Sequence, residues 1–482
     1  MNNRRDYLLL IVLVILSFGH SLGNGFAGDD IVKLVNTDYY SNPQNLKTIF
    51  SKDYLISVDQ FARSNVIYSG SGEVSYRPVV TLTYFFDRAL WGLNPFGYHL
   101  FNLIIHLVNV FLVYHCLTLM VHDNKIALLS AVLFAVHPIQ AEVVNAISYR
   151  HGLLSVCFSL LCMISYVAYQ HKHRRRDLVL SAGALLIALL AKEEAVSVIG
   201  VLFIYRQIFK KEKEIPFKVF FLYLFVIALY CFIYFVVFPS TLKGKYLWAS
   251  GSLLVHAVTI LKIILYYLYS LFLPWTIKPL PFNFVPAVEN PISTLSLLGL
   301  AAFLGALMAP FIVFKKNKIL LFGSLWFIFA LIPFTAIIPT NPIADRRLYF
   351  PCIGIFMMMG YFANPVSTFL SRQNSDRGYR LLCIIFVGLC MYRSSYLTQF
   401  WKNNFSYAAE IIRLYPWDKK AYYVLGEENF RAGILAMKTN NCREAAPLLS
   451  NAKLLGVNDD RIKKMLEACG ETKDAFGTKK EN

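Results

Sequence analysis

The sequence predicts an all-α polytopic membrane protein with about eleven transmembrane helices, and three observations predict it. The 482 residues are 57% hydrophobic and only 16% charged, with a mean hydropathy of +0.50, where a water-soluble chain carries about 25% charge. Apolar runs long enough to cross a hydrocarbon core of ~30 Å recur from end to end. The basic residues behind the net charge of +18 fall mainly in short loops between those runs. That pattern orients spans in a bilayer and gives no reason to expect nucleic acid as a partner.

The first run, "YLLLIVLVILSFG" from Tyr7 to Gly19, follows Arg4 and Arg5. A basic start and the small residues of "GFAGDD" also suit a secretory signal, but equally strong runs follow, so it is read as a span. The expected spans are 7–23, 98–120, 126–143, 150–169, 178–191, 194–206, 218–238, 293–314, 319–339, 348–364 and 379–397. Lys192 and Glu193 separate two short runs that suit a hairpin crossing only part of the bilayer. With eleven crossings, "HKHRRR", "RQIFKKEKEIPFK", "KKNK" and the arginines 372, 377 and 380 all fall on the side of Arg4 and Arg5. The apolar segment 252–275 would break that parity, and is read as a re-entrant or interfacial helix on the outer side.

On this topology residues 1–397 form the transmembrane domain, and 24–97 is its first extracytoplasmic loop, with room for two short amphipathic helices. Residues 398–482 form an extracytoplasmic tail. There "AYYVLGEENFRAGILA" and "REAAPLLSNAKLLG" have the spacing of a tetratricopeptide-like (TPR) helical pair. About three such repeats are normally needed to bury a continuous core, and only one or two fit. Seven of the nine cysteines lie in or beside apolar runs, where cysteine behaves as a small hydrophobe. Cys442 and Cys469 lie in the tail, open to pairing in an oxidising compartment or to remaining thiols.

Ionisable side chains beside a bilayer are costly, which makes them functional candidates. Asp29 and Asp30 are adjacent carboxylates just past the first span. Such a pair repels, partial burial raises the proton affinity of at least one member, and a base poised in that way accepts a proton from an acceptor hydroxyl. The alternative for the pair is a polar cap on the first span. In "HPIQAEVVNAISYRHGLL", Glu142 and Arg150 stand eight residues apart, two helical turns, a spacing that allows pairing on one side. His137 and Glu142, interrupted by Pro138, lack the i, i+4 spacing of a zinc helix. Arg77, Lys192, Arg346 and Arg347 are cations at the outer boundary. Guanidinium groups at headgroup depth suit a phosphate or pyrophosphate, or an ordinary lipid headgroup. His99 and His106, on an apolar span, read as packed residues. Together a carboxylate base, a phosphate clamp and an apolar surround suit group transfer from a lipid-linked phosphate donor.

The stretches "YRPVVTLTYFFDRALWGLNPFGYHLFNLIIHLVNVFLVYHCL", "ALLSAVLFAVHPIQAEVVNAISYRHGLLSVCFSLL", "AKEEAV" and "ADRRLYFPCIGIFMMMGYF" resemble the transmembrane-and-tetratricopeptide-repeat (TMTC) family and its bacterial relatives. The resemblance runs over roughly residues 24–430. It implies the GT-C glycosyltransferase fold, and O-mannosyl transfer from dolichyl-phosphate-mannose as in the animal members. Asp29 and Asp30 match the family's acidic motif, where GT-C enzymes keep their catalytic base, with Asp30 the first choice. Tyr76 and Arg77 match the Y-R-P motif, and His137, Glu142 and Arg150 match H-P-x-x-x-E and the arginine after it. Lys192 and Glu193 match a lysine–glutamate pair, and Arg346 and Tyr349 an R-Y-L-Y-L-P-like motif in which Arg347 replaces a tyrosine. On this reading Arg77, Lys192, Arg346 and Arg347 hold the donor phosphate, while Tyr76, His137, Glu142, Arg150, Glu193 and Tyr349 shape the pocket. The repeat array is far shorter than in the animal members.

The expectation is a transferase that moves one sugar, mannose or a similar hexose, from a polyprenyl-phosphate carrier to a protein, glycan or lipid acceptor, with inversion, on the extracytoplasmic side. No cofactor is required, although two carboxylates have the donors to hold a divalent metal. The compartment is a bacterial inner membrane, or the endoplasmic reticulum in a eukaryote. Two rivals are a transporter or flippase of lipid-linked sugar, for which no internal repeat is evident, and a membrane-anchored TPR scaffold.

Overall fold

A computed structural model describes residues 4–50, 76–209, 219–237, 253–279, 305, 311–336, 343–372 and 376–470, and every regular element among them is a helix. The helices are α1 (Arg4–Phe18), α2 (Pro78–Trp91), α3 (Pro95–Val121), α4 (Asn124–Val136), α5 (Ala141–Asn145), α6 (Arg150–Lys172), α7 (Arg175–Ala191), α8 (Ser197–Ile208) and α9 (Val219–Val237). There follow α10 (Leu253–Phe272), α11 (Lys318–Ala336), α12 (Cys352–Arg372), α13 (Asp376–Phe400), α14 (Asn404–Leu414), α15 (Lys419–Lys438), α16 (Cys442–Leu454) and α17 (Asp460–Ala468).

Five helical stretches among the described residues are long and apolar enough to cross a membrane: Arg4–Gly23, Pro95–Val121, Ile147–Lys172, Val219–Val236 and Leu381–Phe400. A sixth span results if the bent pair Asn124–Val136 and Pro138–Asn145 counts as one. Shorter apolar helices cover Thr259–Phe272, Lys318–Phe334 and Cys352–Ala363. These helices make the chain a membrane protein. Most of the expected span 293–314 and most of the "RQIFKKEKEIPFK" cluster lie outside the described residues, as do the centre of the 24–97 loop and the chain's last twelve residues.

The expected span 126–143 is not one straight helix. Pro138 has no N–H with which to continue α4 and disfavours helical backbone at His137. The chain accordingly leaves α4 in extended conformation (φ −69°, ψ 131°) and restarts 52° away. His137 finishes the break. Its Nδ1 accepts the Ile139 N–H (3.2 Å), so its Nε2 carries the proton and donates to the Leu271 carbonyl (3.1 Å) at the end of α10. A buried, neutral imidazole therefore pins α10 to the turn.

One apolar core runs through the spanning helices, with Phe134, Tyr166, Tyr205, Trp326 and Phe356 fully buried. Close approach in it depends on small residues: a Cβ on Gly323 of α11 would lie 2.7 Å from the Gly354 carbonyl of α12. In the tail, α15 packs on α16 around Ala445, Ala446, Leu449 and Phe430, and a Cys442–Cys469 disulfide ties the start of α16 to the end of α17.

The breaks between spanning helices converge. The loop after α1, the 137–149 turn, the Lys192 turn, the loop before α12 and the junction from α13 into α14 all meet at one end of the bundle. The ionisable candidates sit on those breaks because a turn leaves the spanning core before it must accommodate charge.

Candidate functional site: a charged cleft where the helix breaks meet

The loop after α1 turns at Gly28, whose φ of +59° lies in the left-handed region that glycine enters without a Cβ penalty. The turn sends the two aspartates in different directions. Asp30 is 1% exposed and looks inward. Its Oδ1 accepts the Ser148 N–H (2.6 Å), and its Oδ2 accepts those of Ile147 (3.3 Å) and Ala27 (3.5 Å). Burial raises its carboxyl from 3.8 to about 6, against the pull of those N–H groups. Asp29 faces an open cleft, with the Lys33 ammonium 3.6 Å away, one turn along the chain.

That cleft has a cavity volume of about 70 Å³, and its lining includes Gly28, Asp29, Glu142, Tyr149, Lys278, Asp345, Arg346, Trp401 and Tyr407. Glu142 holds Arg346 twice, accepting its main-chain N–H at 2.8 Å and pairing with Nη1. The same guanidinium stacks 4.1 Å from the Tyr149 ring centre, a cation–π contact. Trp401 and Tyr407, with ring centres 4.7 Å apart, form a wall where the last spanning helix runs into the tail. Burial, and then the charge of Glu142, pushes the Asp345 carboxyl well above the usual carboxylate range.

A second, smaller cleft of about 30 Å³ is lined by Lys192, Glu194, Phe334, Arg346, Arg347 and Tyr349 among others. Lys192 pairs with Glu194, and its ammonium lies 5.4 Å from the Phe334 ring centre, with Arg347 at 5.6 Å from the same ring. Burial depresses the Lys192 ammonium, against the opposing charge of Glu194. Tyr349 is buried beneath, bonded to His106 (2.8 Å) and Asn109 (3.1 Å). Arg346 lines both clefts.

The structure therefore brings Asp29, Glu142 and Arg346 together in one cleft, and Lys192, Arg347 and Tyr349 around the other face of Arg346. It keeps several candidates apart from both. Glu142 and Arg150 do not pair, because the chain between them is not one helix: Ala146 is extended (φ −78°, ψ 116°) between α5 and α6. Arg150 turns instead to Asp87 of α2 at 2.5 Å, with Asn102 (2.7 Å), Thr83 (3.0 Å) and the Tyr98 carbonyl (3.0 Å) completing its donors. The Tyr84 and Phe101 rings cover its faces. Arg77 meets Glu193 at 3.1 Å, and Tyr76 packs with Tyr39, Ile49 and Phe85; among the described residues neither Tyr76 nor Arg77 lines either cleft. His99 and His106 are buried and hydrogen-bonded, as expected of packed residues.

Reasoning from sequence missed Asp87, Lys278, Asp345, Tyr149, Trp401 and Tyr407. Trp401 stands at the end of an apolar run, where a tryptophan is common for reasons of membrane depth alone and so carries little signal of a cleft. Among the described residues no group of three or more His, Cys, Asp or Glu side chains forms a candidate metal site.

No family model matches the chain. Curated relatives do match part of it. The chain is 29% identical over 218 residues to the human protein O-mannosyl-transferase TMTC3, covering 44% of this chain and 23% of that protein. It is 35% identical over 166 residues to the Caenorhabditis elegans protein O-mannosyl-transferase F38B6.6, covering 34% of this chain and 23% of that protein. Human protein O-mannosyl-transferase TMTC1 matches at 31% identity over 208 residues, 39% of this chain and 22% of that protein. The matches thus span less than a quarter of the length of each of these three relatives.

Proposed function

We infer that this chain, a sequence relative of the TMTC protein O-mannosyltransferases, is a membrane glycosyltransferase of the GT-C type, with about eleven spans and its cleft on the extracytoplasmic side. It moves one hexose, mannose by analogy with those relatives, from a polyprenyl-phosphate carrier to an acceptor hydroxyl on a protein, glycan or lipid. The observation that carries this reading is the shared cleft, in which the Asp29 carboxylate and the Arg346 guanidinium line one cavity.

The chemistry follows from those two groups. The acceptor oxygen attacks the anomeric carbon while its proton passes to Asp29. The bond from that carbon to the phosphate oxygen breaks, and the electron pair leaves with the phosphate. A single base and direct displacement invert the sugar carbon. Arg346, with Arg347 and Lys192 on its other face, neutralises the departing phosphate. A guanidinium has five N–H donors, enough to keep Glu142 and still hold a phosphate oxygen. Asp29 takes the base role in preference to Asp30, whose oxygens are occupied by three backbone N–H groups. The Cys442–Cys469 disulfide supports a tail outside the cytoplasm, in a bacterial inner membrane or, in a eukaryote, the endoplasmic reticulum membrane.

The test is sugar release from radiolabelled polyprenyl-phosphate-mannose or -glucose by purified wild type, Asp29→Asn and Arg346→Ala, with membrane extract as acceptor source. Asp29→Asn is expected to lose about 10²-fold or more in turnover with donor binding kept, the usual scale for a removed general base. Arg346→Ala is expected to weaken donor binding as well. Wild type that binds the carrier and never cleaves it would put a carrier transporter or a scaffold in place of the enzyme.

A further inference from the structure

The loop that carries Asp29 is held from two sides, and one of those sides is the tail. Asp30 fastens it to the turn before α6. On the opposite side the Gly25 N–H donates to the Lys402 carbonyl (2.7 Å), and the Asn24 amide to that of Thr398 (3.0 Å). The nearest tie to Asp29 is Asn404, 1% exposed at the start of α14. Its Oδ1 accepts the N–H of Gly28, the residue before Asp29, at 2.5 Å, and its Nδ2 donates to Glu428 Oε1 of α15 at 2.9 Å. Val32, a few residues past Asp29, packs on Ala408 of α14 and Val424 of α15. The Lys420 ammonium, also on α15, is close enough to Asp29 to feel its charge.

We propose that Asn404 and Glu428 are positioning residues that make the base loop depend on the seating of tail helix α15, so that the tail sets the rate of transfer at Asp29. The amide has one workable orientation. Turned over, it would aim Nδ2 at another N–H and its oxygen at a carboxylate. Asn404 therefore reads the loop with its acceptor and the tail with its donor, and a change at one end is felt at the other. The proposal rests on the glycosyl-transfer reading for its rate readout alone, since the linkage itself is structural.

The polarity of the relay gives a test that separates positioning from simple stabilisation. Asn404→Asp keeps an acceptor for Gly28 but sets two carboxylates against each other. Glu428→Gln alone leaves Asn404 a carbonyl oxygen to donate to. Combining Asn404→Asp with Glu428→Gln restores the bond with its direction reversed, since the amide now stands on α15 and donates to a carboxylate on α14. The measurements are sugar release from polyprenyl-phosphate-mannose, donor binding, and hydrogen exchange at residues 24–32, all on the full chain.

Expected are an Asn404→Asp turnover down about 10-fold or more with donor affinity unchanged, Glu428→Gln within about twofold of wild type, and recovery in the double variant, with exchange at 24–32 rising and falling in step. Unchanged exchange in Asn404→Asp, or a double variant no better than the single, would overturn the relay. A wild type without transferase activity whose exchange still follows this order would leave the relay standing and remove the enzyme reading instead.

Discussion

At Asp29 and Asp30, neighbours in the chain have different surroundings because one glycine with positive φ precedes them. Asp30 is a buried acid whose carboxyl is raised to about 6, and the consequence for stability has a definite sign. Folding favours its protonated form, so its contribution is fully present below the unfolded value near 3.8 and is lost as pH rises through about 6. The span of roughly two units corresponds to about 3 kcal/mol. The unfolding midpoint of wild type relative to Asp30→Asn, which cannot titrate, is expected to fall between about pH 4 and pH 6.5 and stay flat above it; a difference independent of pH would refute the burial of that carboxyl. Both aspartates were legible from sequence as a pair, and so was Arg346. Their different burial was not, because it depends on which way a single turn points. The three N–H groups that claim Asp30 include two that lie 117 and 118 residues away.

Among the elements, α2 and α6 are joined by the Arg150–Asp87 pair, buried at 0% and 1% side-chain exposure. Removing one partner of such a pair strands the other charge, at a cost of about 3–5 kcal/mol. Arg150→Ala is therefore expected to lower the thermal midpoint sharply and to cut the yield of folded protein. Arg150→Met combined with Asp87→Leu should recover much of the loss, as read by size-exclusion profile and thermal melt in detergent. If the single variant melted like wild type, the pair would not hold the bundle. Helix existence was the part of the fold the sequence exposed best, since long apolar runs announce themselves. The break at Pro138 was visible as a proline but was read inside a span, because hydropathy averages over the residues that bend. The partner of Arg150 was unreadable for a related reason: Asp87 sits in "YFFDRALW", where one acid in an aromatic run looks like the wet face of an amphipathic helix.

For the whole molecule, the membrane bundle and the tail meet at the cleft, and the tail carries its own covalent staple. The disulfide spans 27 residues of sequence, a loop for which chain-entropy arguments give about 3–4 kcal/mol. Reduction is expected to loosen α16 and α17 while leaving the bundle folded. A membrane-impermeant maleimide applied from the non-cytoplasmic side should label two further cysteines only after reduction, which mass spectrometry of tail peptides would read. Labelling from the cytoplasmic side alone would reverse the topology. The composition and basic loops made the membrane class plain, and "AYYVLGEENF" marked a helical tail, but nothing in a linear pattern revealed that the tail supplies Trp401 and Tyr407 to the cleft.

Arg346 belongs to two clefts at once. A shared cation makes the contents of the two spaces thermodynamically reciprocal: whatever factor an anion in one imposes on a ligand in the other is returned in full. An anion that engages the donors Arg346 does not spend on Glu142 fixes the guanidinium in place, and with it one wall of the space that Asp29 faces. Whichever ligand arrives first changes the affinity for the second by one common factor, and binding measured with the contents of both clefts varied together would show that factor to be equal in the two directions.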